Sequence, residues 1–207
     1  MHHHVYSFKE DTMKNRHLAL ILLVTALGGC KQEYTPKPRG YFRIAFPEKS
    51  YALFYESGFP YRFEKADYSE IEKPDGQETD PFDITISTPR FKADIHISYK
   101  QIPGNGGNRE LAKLLEDSRT LAYKHTLKAD AIEEKIFMNP SSKVFGTIYR
   151  IEGNAASPLQ FYLTDSVRHF LRGSFYIRET PNIDSLRPVI HFMESDIIRL
   201  IETTAWN

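Results

Sequence analysis

The sequence predicts an α+β domain in which an antiparallel β-sheet of several strands carries two helices packed on one face. Two observations indicate this class. Segments whose side chains alternate between apolar and polar, as in half-buried strands, occur both before and after a segment with helical spacing. A second helical pattern then closes the chain. The order strands, helix, strands, helix is typical of helices that are segregated onto an antiparallel sheet.

The clearest strand pattern is the alternation in residues 91–99. One face consists of Phe91, Ala93, Ile95, Ile97 and Tyr99. The other consists of Lys92, Asp94, His96 and Ser98. Residues 82–86 alternate in the same way, with a bend at Pro89 and Arg90, so we expect an antiparallel pair with one face in solvent. Further strands are predicted at about 50–55, 60–65, 131–138, 143–152, 158–164 and 169–178.

Two segments have the spacing of amphipathic helices. The first runs from about 109 to 126, with Asn108 as a candidate N-cap. The second runs from Asp184 to Thr204, where Pro188 is tolerated because it lies near the first turn. Its apolar stripe consists of Leu186, Val189, Ile190, Met193, Ile197, Leu200 and Ile201.

The N-terminal segment contains a ten-residue stretch, 18–27, that is apolar except for Thr25 and lies between a basic flank and two glycines. A membrane-spanning helix needs about 20 apolar residues, so this stretch is too short to span and has the layout of an export signal. Leu27–Cys30 resembles the lipobox of bacterial lipoproteins, in which the peptide before the cysteine is removed and the thiol is diacylated. The alternative, a buried helix with Cys30 as a core thiol, is disfavoured because the stretch is apolar on every side.

These features predict three parts of the chain. Residues 1–29 are an export signal peptide, for which Met13 is an alternative start. Residues 30–40 comprise the lipidated Cys30 and an extended tether that is rich in proline and charge. Residues 41–207 form a single α+β domain of ordinary size. Two acyl chains on Cys30 hold such a domain firmly to a membrane, because each buried CH₂ contributes about 0.8 kcal/mol.

Charge gives no case for nucleic acid as a partner. The chain has 27 Lys/Arg and 27 Asp/Glu, of which residues 1–29 hold three and two. The remaining 178 residues carry 24 basic and 25 acidic side chains, without the basic excess that phosphate backbones require. Cys30 is the single cysteine, so the predicted domain has neither a disulfide nor a cysteine metal site.

Two groups of residues suggest chemistry, and each also has a structural interpretation. Asp165, Ser166 and His169 have the residue types of a hydrolase triad. A triad is assembled from distant positions, however, and these neighbours are better explained as a hairpin turn. His191 and Glu194 share a helix face, but two ligands do not make a metal site. We therefore predict no catalytic residue, no metal site and no cofactor.

Residues 41–68 carry ten aromatic side chains in 28 positions. Strands favour aromatic residues, so most of these are expected in the core. Two or three are expected to be exposed near Tyr55–Tyr61, where rings can stack on sugars or contact a partner protein. This aromatic block supports an alternative function, an envelope lipoprotein that binds glycan.

Four stretches, in order along the chain, are similar to the gliding-motility lipoprotein family GldD of Bacteroidota. They are CKQEYTPKPRGYFRIAFPEKSY, RFKADIHISYK, LQFYLTDSVRHFLRGSFYI and PNIDSLRPVIHFMESDIIRLIET. The resemblance implies a lipoprotein that is anchored to membrane lipid through acyl chains on Cys30 and is needed for gliding. It also implies association with the type 9 secretion machinery, which exports the adhesins of gliding, and it implies no catalytic activity or cofactor.

The expected function is therefore that of a non-catalytic accessory or assembly factor that contacts other proteins of the gliding and secretion machinery. The expected location is the cell membrane, with the domain in the periplasm. Glycan binding by the aromatic block is the alternative, and a hydrolase that uses Asp165, Ser166 and His169 ranks last.

Overall fold

The computed structural model describes residues 44–73, 80–103, 107–124, 129–180 and 182–207. Residues 43–207 form one compact unit. The predicted export signal, Cys30 and the predicted tether lie outside the described residues, as do Tyr41 and Phe42 of the aromatic block.

Ten β-strands and two α-helices are present in these described ranges. The strands are β1 (Tyr51–Phe54), β2 (Tyr61–Ala66), β3 (Glu70–Glu72), β4 (Ile84–Thr88), β5 (Ala93–Gln101), β6 (Ala129–Asn139), β7 (Val144–Gly153), β8 (Leu159–Thr164), β9 (His169–Ile177) and β10 (Ala205–Trp206). The helices are α1 (Gly107–Tyr123) and α2 (Ile183–Thr203). A short 3-10 helix, Pro89–Phe91, joins β4 to β5.

The strands form two antiparallel sheets. The larger sheet has seven strands in the order β3-β4-β5-β9-β8-β7-β6, and the smaller sheet has the order β1-β2-β10. After β5 the chain passes through α1, which contacts β8 and β9, and begins β6 at the far edge. From β6 it returns through β7 and β8 to β9, which pairs with β5. This route leaves the longest strand of the chain, β6, at an edge of the larger sheet.

The α+β class and the antiparallel sheet are confirmed, and each predicted helix and strand is present with bounds that differ by a few residues. The predicted pair at 82–99 is the antiparallel pair of β4 and β5. The sequence does not predict β3, β10 or the 3-10 helix, because two or three residues are too few for a periodic pattern.

The two helices lie on opposite faces of the larger sheet, which corrects the expectation that both share one face. Ile148 of β7 belongs to the core cluster that includes the buried side chains of α2. Its neighbour Tyr149 points to the other face, where it lies close to Arg119 and Tyr123 of α1. The reason is the crossover: the chain must pass over a face of the sheet to reach β6, and α2 together with the smaller sheet already covers the first face.

The core lies between the first face of the larger sheet, α2 and the smaller sheet. Its largest fully buried side chains include Tyr61, Phe63, Phe161, Phe175, Ile97, Met193 and Ile197. The predicted stripe of α2 is correct, since its residues at 189, 193, 197, 200 and 201 are buried. Aromatic rings from both sheets dominate this core, which gives it much apolar area per side chain.

Candidate functional site

The three residues of the hypothetical triad lie in the turn between β8 and β9. Oδ1 of Asp165 accepts hydrogen bonds from the backbone N–H groups of Val167, Arg168 and His169, at 2.9, 2.8 and 2.9 Å. Burial raises the pKa of the Asp165 carboxyl, but these hydrogen bonds outweigh burial and hold the pKa below its usual range. The carboxylate therefore closes the turn, as the structural interpretation predicts.

Ser166 and His169 do not form a nucleophile–base pair in the described structure. The backbone N–H of Ser166 donates to Oγ1 of Thr164 at 2.9 Å, and Ser166 has a left-handed φ of 65°. Nδ1 of His169 is hydrogen-bonded to the Tyr99 hydroxyl at 2.8 Å, and its ring stacks on Trp206 with 4.9 Å between centroids. Burial lowers the pKa of His169. The His169 imidazole therefore contacts Tyr99 and Trp206 and is not paired with Ser166.

His191 and Glu194 are also engaged differently from a metal site. Nε of Arg150 on β7 donates to Oε1 of Glu194 at 3.0 Å, and its Nη2 donates to the same oxygen. His191 is exposed. Among the described residues, no group of three or more His, Cys, Asp or Glu is placed to hold a metal ion. A cavity of about 340 Å³ opens beside this ion pair, with Leu159 and Phe175 among its apolar lining.

Most of the aromatic block belongs to the core. Phe54, Phe59, Tyr61 and Phe63 are buried and contact one another, with ring centroids 5.0 to 6.3 Å apart. Tyr55 is the exposed ring of the segment 55–61. The expectation of two or three exposed rings there is therefore wrong, because Phe59 and Tyr61 turn inward to fill the space beside the larger sheet. One ring does not make a stacking platform, so residues 44–68, the described part of the block, give the glycan alternative no structural support.

A buried polar cluster fastens the start of the described chain to α2. Oδ1 of Asp196 accepts hydrogen bonds from Nζ of Lys49 at 2.6 Å and from the Tyr51 hydroxyl at 3.1 Å, while Oδ2 accepts from the Tyr68 hydroxyl at 2.5 Å. The Lys49 ammonium also lies 3.3 Å from the ring centroid of Phe192. Burial and the Asp196 charge raise the pKa of Tyr51 to about 12, and burial lowers the pKa of Lys49. Both carboxylate oxygens are engaged, which is the arrangement of a structural clasp.

The edge strand β6 presents the most accessible apolar side chains in the described structure. β6 pairs with β7 along one side, and no described strand pairs with its other side. Ile136 is 74% exposed and Met138 is 69% exposed. They lie two residues apart, on the same face as the cross-strand neighbours Thr147 and Phe145. A long edge with free backbone groups and exposed apolar side chains can accept a further strand.

Sequence reasoning missed this edge and the Asp196 clasp. Asp196 interrupts an apolar stripe directly before Ile197, and a carboxylate at such a position is a signal of a buried polar contact. For β6, the alternation of apolar and polar residues does not distinguish an edge strand from a central one. The alternation shows which face of the strand is buried, but it does not show whether both hydrogen-bonding edges are paired.

Comparisons with known proteins identify a family. Residues 31–206 match the family described as "Gliding motility lipoprotein GldD". No curated protein matches the chain. The solution structure of cyanobacterial PsbP (CyanoP) from Synechocystis sp. PCC 6803 is 11% identical and covers 75% of this chain and 95% of that chain, with a TM-score of 0.43. In the described ranges, neither helix has the length and apolar character needed to span a membrane.

Proposed function

Because the chain belongs to the gliding motility lipoprotein family GldD, we propose that it is a non-catalytic accessory or assembly factor of the gliding and type 9 secretion machinery. Acyl chains on Cys30 anchor it to the cell membrane, and its folded part lies in the periplasm. The family supports the coarser part of this proposal, a lipoprotein of the cell envelope that takes part in gliding. Two acyl chains are enough for stable anchoring without a spanning helix.

The observation that carries the proposal is the open edge of β6. Edge strands in soluble proteins are usually short, covered or interrupted, because free N–H and C=O groups recruit other strands. β6 has 11 residues, and its exposed Ile136 and Met138 lie towards its C-terminal end. Glu133, Glu134 and Lys135 occupy the middle of the strand. The charged side chains in the middle of β6 discourage pairing with unrelated strands. The apolar side chains at its C-terminal end favour a strand that brings apolar side chains of its own.

The occupant that fits is an extended segment of a protein of the gliding machinery, with apolar side chains at alternate positions. Main-chain hydrogen bonds to β6 provide affinity, and contacts to Ile136 and Met138 provide specificity. These two side chains lie on the face of the larger sheet that is opposite the core, which we call the second face. The occupant therefore extends the sheet without disturbing α2 or the smaller sheet.

The proposal predicts that Ile136→Glu abolishes partner binding and gliding while the protein stays folded and anchored. The new carboxylate leaves the free protein unaffected, because position 136 is exposed, but it would be buried without a counter-charge once the strand is added. We expect at least a tenfold loss of partner capture, about 1.4 kcal/mol. A photoreactive amino acid at the exposed position 138, introduced in living cells into both the wild type and the Ile136→Glu variant and followed by mass spectrometry, measures the capture.

Leu53→Glu is the matched control. Leu53 is 62% exposed and also lies on an edge strand, β1, but of the smaller sheet. It should retain both gliding and crosslinking from position 138. Normal gliding of the Ile136→Glu strain, or loss of gliding in the Leu53→Glu strain alone, would contradict β6 as the docking edge.

A further inference from the structure

Three side chains on the second face of the larger sheet form a cluster of hydrogen-bond donors. Arg172 lies in the middle of β9, Ser174 lies two residues further along β9, and Gln160 lies on β8 directly opposite Ser174. α1 contacts both strands. Nη2 of Arg172 donates to Oε1 of Gln160 at 2.8 Å.

Two polar atoms of this cluster are buried without a partner. Gln160 is 2% exposed and Ser174 is 4% exposed, and neither Nε2 of Gln160 nor Oγ of Ser174 has a hydrogen-bond partner in the described structure. The orientation of the amide follows from Arg172, because the guanidinium has only donors and must face the amide oxygen. The amide nitrogen is therefore the free end. Buried polar atoms of this kind destabilise the folded state when they stay without a hydrogen-bond partner.

Arg172 is also exceptional among the arginines of this region. Nε of Arg178, at the end of the same strand, lies 3.0 Å from Oδ2 of Asp94, and Arg150 on β7 is paired with Glu194. Within the described ranges, Arg172 has no carboxylate partner. Burial lowers the pKa of its guanidinium.

From this geometry, we infer that Arg172, Gln160 and Ser174 bind a small oxyanion, a carboxylate or a phosphate. An oxyanion accepts from the guanidinium, the amide N–H and the hydroxyl together, and it supplies the missing negative charge. A water molecule fits less well, because it is neutral and leaves the Arg172 guanidinium without a counter-charge. His96, the cross-strand neighbour of Ser174 on β5, is the exposed residue next to the cluster.

The test is a titration of the purified full-length chain with sodium phosphate and, separately, with sodium acetate, at an ionic strength held constant with sodium chloride. Binding at the cluster raises Tm, by about 3 °C when the anion is tenfold above Kd. A response to one salt alone identifies whether phosphate or carboxylate is the ligand. Equal Tm values in both salts and in chloride would overturn the inference.

The variants Ser174→Ala and Arg172→Gln test whether the anion that raises Tm binds at this cluster. Ser174→Ala removes a hydroxyl that has no protein partner, so we expect the anion-free variant to be at least as stable as the wild type and to bind the anion at least tenfold more weakly. Arg172→Gln should abolish the response. Arg187→Gln is the control, since it removes the same charge from an exposed position on α2. If Ser174→Ala binds the anion as well as the wild type, or if Arg187→Gln loses the response, the site is not this cluster.

Discussion

At the residue scale, Gly173 shows why one position in the middle of β9 has no side chain. Phe161 of β8 lies directly opposite and places its ring over the glycine. A Cβ at position 173 would lie 2.1 Å from Cζ of Phe161. Phe161 is buried in the aromatic core, so its ring has little room to move. The glycine is thus required for the close packing of the ring rather than for a turn.

We predict that Gly173→Ala lowers the free energy of unfolding by about 1–3 kcal/mol, because the added methyl group displaces the Phe161 ring. Phe161→Leu removes the atoms that the methyl group meets. The double variant should therefore lose less stability than the sum of the single losses, by at least about 0.5 kcal/mol. Denaturant unfolding of the four proteins measures this coupling.

Gly58→Ala is the control for this comparison of single and double variants. Gly58 has a φ of 89°, and a Cβ there meets nothing within 4 Å. Its loss of stability reflects backbone strain alone, and it should be additive with Phe161→Leu. Strict additivity of Gly173→Ala with Phe161→Leu would show that the ring is not the obstacle.

At the scale of elements, the two-residue strand β10 has a larger role than its length suggests. It pairs with β2, and Nε1 of Trp206 donates to the backbone oxygen of Lys143 at 3.0 Å. The Trp206 ring stacks on His169, with 8° between the ring planes. The end of the chain thus joins the smaller sheet to the β6–β7 turn and to the start of β9.

We predict that Trp206→Ala lowers the free energy of unfolding by about 2 kcal/mol and raises the pKa of His169. The stability loss follows from the lost contact area and hydrogen bond of a partly buried tryptophan. The pKa rises towards its ordinary value of 6.5 because burial is what lowers it in the wild type. An NMR titration of the His169 ring and denaturant unfolding provide the two measurements.

Trp206→Phe separates the two contributions. It keeps the aromatic stack and loses the hydrogen bond to Lys143, so the His169 pKa should change little while about 1 kcal/mol is lost. A His169 pKa that is unchanged in Trp206→Ala would mean that other neighbours bury the imidazole.

At the scale of the whole molecule, the proposed function combines a lipid anchor at Cys30 with a partner-binding edge, the unpaired side of β6, on the folded part. In this proposal the lipid restricts the protein to a membrane surface. Partner proteins on the same membrane are then present at a high effective concentration, which favours their binding to the edge strand β6. Neither feature requires chemistry at a catalytic centre, which agrees with the structural roles of Asp165, His169 and Glu194.

We predict that Cys30→Ala moves the protein from the membrane fraction to the soluble fraction and abolishes gliding. In the proposed function the Cys30 sulfur carries the acyl chains, and without them nothing in the proposal holds the folded part beside its partners. Fractionation and colony spreading measure these two consequences, and mass spectrometry of the N-terminal peptide checks that the acyl chains are absent. Thr35→Ala in the predicted tether keeps the thiol and should behave as the wild type. Full gliding with a soluble Cys30→Ala protein would refute the role of the anchor.

The sequence by itself determined the order of the elements, the alternation of β4 and β5, the buried stripe of α2 and the resemblance to the family. These features depend on neighbours within a few residues, and local periodicity reports which side of an element is buried. The hairpin turn at Asp165 was predictable for the same reason, since its hydrogen bonds span four residues.

Only the tertiary structure decided which strands share a sheet, that β6 is an edge and that the two helices cover opposite faces. It also decided that Gln160 and Ser174 are buried without partners and that Asp196 meets Lys49. Each of these features depends on pairing between segments distant in sequence. Such pairing follows from the packing of the entire core, which the period of a single segment does not encode.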